Sequence, residues 1–224
     1  MKTINLDISQ RILNLTEKFY AGSIRFLLLG QPWLKCKTNC SDRFLLSDKM
    51  KLKCQTKRLL YVSNHRSNLD TFLLISWIPG LRGLAKSSLY YNIIFAPFMW
   101  ITGFVPVEKG SFASYLNGLE KLKTKLLEKE IPVLIFPENT RCLKGSPKLS
   151  KWSHSIFKIA MDAKVSIIPV VIKNSDAVLG KGDFLLNPFQ PMEVKFLEPI
   201  EATHFQDSIE LSRKVHQMIS MELK

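Results

Sequence analysis

The sequence contains few cysteines, and their number and spacing argue against both a disulfide framework and a zinc site. Four cysteines among 224 residues are too few for a disulfide framework in a chain of this length. Cys36, Cys40 and Cys54 have no fourth ligand at metal spacing, so a zinc site is not expected. We therefore interpret all four as reduced thiols. Asp7, Arg11 and the charged residues that follow interrupt any cleavable signal, which favours a protein that stays in the cytosol.

Acidic side chains are also scarce. Nineteen Asp and Glu face 32 Lys and Arg, which gives a net charge of +13, and residues 1–60 alone carry +8. An excess of this size indicates an anionic partner, such as nucleic acid, an acidic membrane surface or a phosphate-bearing substrate. The 46% hydrophobic content excludes a disordered or collagen-like chain.

No uncharged stretch has the composition of a membrane span. Residues 87–107 carry no charge, but they include Asn92, Pro97, Gly103 and Pro106. A span needs about 20 predominantly apolar residues. The stretch instead predicts a helix over residues 88–100, followed by a strand over residues 103–107.

Residues 1–34 predict an amphipathic helical segment, because Ile8, Ile12, Leu15 and Phe19 recur at helical spacing. Two interpretations stay open: a helix packed on the protein's own core, and a helix lying in a membrane interface. A run of basic residues favours the membrane interpretation, since each cation near an anionic surface adds about 1 kcal/mol. The run comprises Lys49, Lys51, Lys53, Lys57 and Arg58.

Residues 35–224 predict one α/β domain, with a mostly parallel central sheet flanked by helices. Short apolar runs at residues 59–62, 132–136 and 165–172 have the character of buried strands. Helical patterns separate and follow them, at residues 70–77, 111–129, 155–163 and 207–223. This alternation is typical of a parallel sheet. In such sheets, functional residues collect beyond the carboxyl ends of the strands.

The first candidate site follows the strand at residues 59–62. His65 is suited to general-base chemistry near neutral pH, and Asp70 stands five residues later at a predicted helix start. The carboxylate can fold back to accept from the imidazole Nδ1–H, as in the His–Asp half of a catalytic triad. Taken alone, an Asp that caps the helix beside an exposed His explains the pattern equally simply.

A second polar cluster follows the strand at residues 132–136. Glu138, Asn139, Thr140 and Arg141 place a carboxylate, an amide, a hydroxyl and a guanidinium at one strand end. Arg suits bidentate phosphate binding, and Glu can orient a hydroxyl. For each residue singly, a charged surface turn is the competing interpretation. Lys109 follows the strand at residues 103–107 in the same way.

Taken together and in order, these segments resemble the glycerolipid acyltransferase family, the 1-acylglycerol-3-phosphate acyltransferases. The resemblance covers residues 59–223 and includes Ala85-Lys86. Its four motifs are Asn64-His65-x4-Asp70, Gly103-Phe104-Val105-Pro106-Val107-Glu108-Lys109, Phe136-Pro137-Glu138-Asn139-Thr140-Arg141 and Ile168-Pro169-Val170.

The resemblance implies direct acyl transfer from acyl-CoA or acyl-carrier protein to a lysophospholipid hydroxyl. It assigns His65 as general base and Asp70 as its partner, with neither cofactor nor metal. Lys109 and Arg141 are then expected to bind the acceptor phosphate. Glu138, Asn139 and Thr140 would line the acceptor pocket, and Lys86 is a possible substrate contact.

Departures from the family pattern leave the acceptor open. Asn139 replaces the usual Gly, Lys109 the usual Arg and Ser88 a common Glu, and Trp152-Ser153-His154-Ser155 lacks a usual Lys and Gly. The expected acceptor is 1-acylglycerol-3-phosphate, giving phosphatidic acid. A lyso-ornithine lipid and a headgroup-bearing lysophospholipid are the alternatives.

This interpretation also accounts for the excess of basic residues. We expect peripheral or monotopic binding to anionic lipids at the cytoplasmic face of a membrane, and no nucleic-acid partner. A catalytically silent basic protein that binds membrane or nucleic acid is the rival of another class, although no nucleic-acid motif is present.

Overall fold

Short runs of buried apolar residues form the middle of the sheet. In the computed structural model, the described residues are 15–16, 18–23, 26, 35–38, 58–93, 96–129, 131–145, 149 and 151–224. The strands are β1 Lys35–Thr38, β2 Leu59–Ser63, β3 Arg82–Lys86, β4 Val105–Val107, β5 Val133–Ile135, β6 Ser166–Lys173, β7 Pro191–Phe196 and β8 Ile200–Glu201. All residues of β2 and β5, and all but the last of β6, are buried, as expected for strands covered on both faces.

Helices connect the strands. They are α1 Leu69–Trp77, α2 Ala96–Thr102, α3 Phe112–Lys129, α4 Ser155–Asp162, α5 Ser175–Leu179 and α6 Ser208–Leu223, with short 3₁₀ helices at Ser87–Tyr91 and Ala202–His204. Asp207 caps α6 by accepting from the backbone N–H groups of Ile209 and Glu210.

The sheet order is β1-β7-β6-β2-β5-β3-β4, and β8 pairs with β6. Strands β2, β3, β4, β5 and β6 run parallel to one another. Strand β7 is antiparallel to β6, and its residue Glu193 lies opposite Lys173. The carboxyl ends of five parallel strands therefore meet at one edge of the sheet, where β7 begins. We call this the carboxyl edge.

Two apolar cores cover the faces of the sheet. One packs α1, α2 and α5 on one face, around Leu74, Phe98 and Val170. The other packs α3, α4 and α6 on the opposite face, around Leu119, Phe157 and Val215. The predicted α/β fold with a mostly parallel sheet flanked by helices is confirmed.

Much of the predicted N-terminal segment lies outside the described residues, as do Cys40, Cys54 and the basic run at residues 49–57. Residues 15–16, 18–23 and 26 are helical. Tyr20 packs against Phe98, and Ala21 is buried, whereas Leu15, Phe19 and Phe26 are exposed. One side of these residues thus packs on the core while another presents apolar side chains outward.

No helix in the described part of the chain combines the length and hydropathy needed to cross a bilayer. The predicted helix over residues 88–100 is instead a 3₁₀ helix at Ser87–Tyr91 followed by α2 at Ala96–Thr102. The predicted strand over residues 103–107 begins only at Val105, because Gly103 adopts a left-handed conformation with φ +62°.

Candidate active site

The loop after β2 is fixed to the carboxyl edge by a buried asparagine. The Asn64 side chain donates through Nδ2 to the Ile172 carbonyl and accepts through Oδ1 from the Ile172 N–H, both at 2.8 Å. This amide therefore imitates one more residue of sheet pairing between β2 and β6. The sequence motif contains Asn64, but this clamp is visible only in the structure.

The structure brings His65 and Asp70 together. The imidazole Nδ1 lies 2.9 Å from Asp70 Oδ2, and the His65 side chain is 19% exposed while that of Asp70 is fully buried. An ionised carboxylate can only accept hydrogen bonds, so Nδ1 carries the proton in this contact. In the neutral imidazole, Nε2 is then the hydrogen-bond acceptor. The His65 ring also stacks on Phe136, with centroids 4.1 Å apart. One ring nitrogen is thus held, and the other is available to a substrate hydroxyl.

Asp70 is held by three further donors. Its Oδ2 accepts from the backbone N–H of Arg66 at 2.6 Å and of Ser67 at 2.8 Å. Its Oδ1 accepts from Ser175 Oγ at 2.6 Å. Such donors offset the cost of burying a carboxylate. Ser175 was missed in the sequence because it lies 105 residues from Asp70; its position just after β6 was the available signal.

Glu138 lies between the two loops at this edge and is buried. Its Oε1 accepts from the backbone N–H of His65 at 2.9 Å, and its Oε2 accepts from Cys142 Sγ at 2.8 Å. Burial lowers the pKa of His216, and the Glu138 charge partly opposes that shift. The Glu138 carboxylate thus supports the backbone of the His65 loop, a contact that the sequence analysis, which placed Glu138 in the acceptor pocket, did not predict.

Arg141 lies beside the His65 loop, because the N–H of the next residue, Cys142, donates a hydrogen bond to the His65 carbonyl at 2.9 Å. Asn139 and Thr140 are exposed, and Arg141 is half-buried. Asn139 adopts φ +55°, the left-handed region that a Gly occupies without strain. These residues therefore form a turn at the rim of the His65 loop.

Lys109 and Lys86 lie further out. Both are exposed; Lys109 follows β4, and Lys86 is the last residue of β3. Three strand spacings separate β4 from β2, roughly 14 Å in all. Neither Lys109 nor Arg141 belongs to an ion pair among the described residues.

An open cavity of about 410 Å³ lies next to the His65 loop, with Arg66 in its lining. Arg66, Lys144 and Lys173 supply cations to its lining, and Asp176 supplies a carboxylate. Asp176 accepts from Arg66 Nη1 at 3.3 Å and from the backbone N–H of Gly145 at 2.9 Å. The cavity is therefore mostly basic. In the described part of the chain, no cluster of three or more His, Cys, Asp or Glu is arranged to hold a metal ion.

The comparisons with known proteins identify the family. The family model described as Acyltransferase matches residues 46–173, more than half of the chain, and the chain belongs to this family. The resemblance read from the four sequence motifs is thereby confirmed.

Relatives and a solved structure agree with this assignment. A 1-acyl-sn-glycerol-3-phosphate acyltransferase of Limnanthes alba is 26% identical over 145 residues, 64% of this chain and 50% of the relative. One from Saccharomyces cerevisiae is 27% identical over 171 residues, 75% of this chain and 56% of the relative. The chain thus spans about half the length of these relatives.

The crystal structure of the 1-acyl-sn-glycerophosphate (LPA) acyltransferase PlsC from Thermotoga maritima has the same fold. It superposes with a TM-score of 0.68 at 22% identity, covering 96% of this chain and 79% of that chain. At this identity the likeness concerns the fold alone.

Replacing Ser175 by Ala removes the hydrogen-bond donor to Asp70 Oδ1. It leaves the residues expected to bind substrate unchanged. Because a hydrogen bond to a charged group is worth about 1.5–3 kcal/mol, we expect kcat to fall about tenfold while KM for both substrates holds. The matched control is Ser166→Ala, a buried serine at the far end of β6 that bonds Glu201. An equal loss of kcat in both variants at equal melting temperature would contradict the positioning role of Ser175.

Proposed function

We propose that this chain is an O-acyltransferase that moves a fatty acyl group from a thioester to the hydroxyl of a lysophospholipid. The observation that carries the proposal is the 2.9 Å contact between His65 Nδ1 and the buried Asp70 carboxylate, in a member of the Acyltransferase family. The pair lies at the carboxyl edge of a mostly parallel sheet, where sites in α/β proteins collect.

The proposed mechanism uses one proton carrier. His65 Nε2 removes the proton from the acceptor hydroxyl, and the oxygen attacks the thioester carbonyl carbon. Asp70 holds the ring and stabilises the imidazolium that forms. The tetrahedral intermediate then breaks its C–S bond, and the imidazolium returns the proton to the departing thiolate. No acyl-enzyme forms, so initial-rate kinetics should be sequential.

The proposed acceptor is 1-acylglycerol-3-phosphate, which would give phosphatidic acid. The names of the sequence relatives support it, and so does the half-buried Arg141 beside the His65 loop. Arg141 would bind the phosphate next to the imidazole, and Lys109 would reach it from β4. Asn139 and Thr140 would form the rim of this pocket, and Lys86 would contact substrate further along the edge. A lyso-ornithine lipid and a headgroup-bearing lysophospholipid are the alternative acceptors.

For the donor we propose acyl-CoA or acyl-carrier protein. Both carry phosphates on the arm that holds the thioester, and the basic cavity lined by Arg66, Lys144 and Lys173 suits such groups.

We also propose that the protein binds peripherally to anionic lipids at the cytoplasmic face of a membrane. The net charge of +13 supports this proposal. The exposed Leu15, Phe19 and Phe26 support it too, since an interfacial helix presents such a face to lipid.

The His65→Ala variant tests the proposed chemistry. Loss of a general base lowers rates roughly 10²- to 10⁴-fold, so we expect thiol release from acyl-CoA to fall by that factor at unchanged melting temperature. The measurement is initial thiol release across a panel of lyso-lipid acceptors. His204→Ala, an exposed histidine outside the carboxyl edge, should retain full activity. Turnover by the His65 variant near that of the wild type would remove the assigned base.

The Arg141→Ala variant tests the acceptor site. We expect KM for 1-acylglycerol-3-phosphate to rise about tenfold or more, because a charge-assisted hydrogen bond to phosphate is lost. KM for acyl-CoA should hold, and so should turnover of an acceptor without phosphate. If KM for the phosphate-bearing acceptor does not change, the phosphate lies elsewhere.

A further inference from the structure

The carboxyl edge carries exposed apolar side chains as well as His65. A group of them lies in the connection between α5 and β7, whose residues 183–189 we call the apolar loop. Phe184 is 99% exposed, Leu185 84% and Phe189 63%, and Leu186 is also exposed. Because β7 is antiparallel to β6, this loop lies at the same end of the sheet as the His65 loop.

Hydrogen bonds of Asn187 and Asp183 connect the apolar loop to neighbouring structure. Asn187 donates through its N–H to the Val178 carbonyl at 2.8 Å and through Nδ2 to the Ala177 carbonyl at 3.2 Å. Asp183 accepts from Lys144 Nζ at 2.8 Å and from the Gly180 N–H at 2.9 Å. The lysine hydrogen bond, with the Gly180 N–H, lowers the Asp183 pKa. Both ends of the loop are thus tied to neighbouring structure.

The apolar loop is linked to the catalytic loop through α5. Ser67 Oγ, three residues before Asp70, donates to the Leu179 carbonyl at 2.6 Å. Ser175, at the first turn of the same helix, donates to Asp70. These hydrogen bonds fix the position of the apolar loop relative to His65. A partner that binds the loop would therefore lie at a defined position relative to His65.

Other segments at the carboxyl edge share this character. Tyr91 and Ile93 follow β3, Phe112 follows β4 and Leu143 follows β5, and all four are exposed. Ile209, at the start of α6, is exposed at the opposite end of the sheet, and Trp100 and Ile101 are exposed at the end of α2. Several loops at the carboxyl edge therefore carry exposed apolar groups, which marks an interaction surface.

The basic side chains at this edge indicate an anionic partner. Lys86, Lys109, Lys144 and Lys181 are exposed there. The nearby carboxylates of Asp176 and Asp183 pair with Arg66 and Lys144. Apolar side chains within a basic surround match an anionic bilayer, in which headgroups face the lysines and acyl chains receive the apolar groups.

We propose that the apolar loop inserts into the surface of an anionic membrane, so that the carboxyl edge and His65 face the lipid. This proposal rests on the peripheral membrane binding given above and adds a contact separate from residues 1–34. A lysophospholipid could then enter the site by lateral movement from the bilayer.

The test compares the full-length chain with the double variant Phe184→Ser/Leu185→Ser. The probe is vesicles of phosphatidylcholine with phosphatidylglycerol, and the readout is the partition coefficient from co-sedimentation. Burial of a Phe or Leu is worth roughly tenfold or more in partition, so we expect at least a tenfold loss. Ile209→Ser, the matched exposed residue at the other edge, should partition like the wild type.

A second readout separates this proposal from the proposed chemistry. Turnover of a soluble short-chain acceptor should be unchanged in the loop variant, while turnover of an acceptor embedded in vesicles should fall at least tenfold. The His65→Ala variant should partition like the wild type, so a failure of the catalytic assignment leaves the membrane result intact. Unchanged partition of the loop variant overturns the proposal, as does an equal loss for Ile209→Ser. A shift from dimer to monomer without a change in partition also overturns it, since the loop would then be a protein interface.

Discussion

The buried carboxylate of Asp70 is the charge around which the carboxyl edge is organised. It receives donors from His65, Arg66 and Ser67 on one loop and from Ser175 on another. A carboxylate without such donors would be costly to bury. The same contacts therefore stabilise the fold of the edge and fix the Nδ1 side of the imidazole. In the proposed mechanism, loss of any one donor would affect catalysis through the position of the His65 ring.

This arrangement links the proposed chemistry to the proposed membrane-facing surface. Helix α5 begins with the donor to Asp70 and ends beside the apolar loop, and its Leu179 carbonyl accepts from Ser67. The phosphate-binding cations we propose lie at the same edge. Acceptor, donor and membrane would thus approach the imidazole from one end of the sheet, while the opposite end, with its buried Ile78 and Leu81, closes the core.

The sequence predicted those parts of the fold that have a local signal. The apolar runs of β2, β5 and β6 were recognisable because both faces of these strands are buried. Strand β3 was not recognised, since Arg82 and Gly83 interrupt any apolar run although both are buried. Strand β7 alternates buried with more exposed residues and was also missed. The His65–Asp70 spacing was a local pattern, whereas the contacts of Asn64 with Ile172 and of Ser175 with Asp70 span more than 100 residues.

The central claim is that the negative charge of Asp70, beyond its shape, supports His65 as a base. The most direct measurement is the single-turnover rate of thiol release by the Asp70→Asn variant, which keeps the size of the side chain. Our account predicts a loss of about 10²- to 10⁴-fold, measured at a temperature at which the variant is still folded, because the weakened hydrogen bonds to residue 70 also lower its melting temperature. A rate within a few fold of the wild type would contradict it, because a neutral amide would then serve the imidazole as well as the carboxylate does.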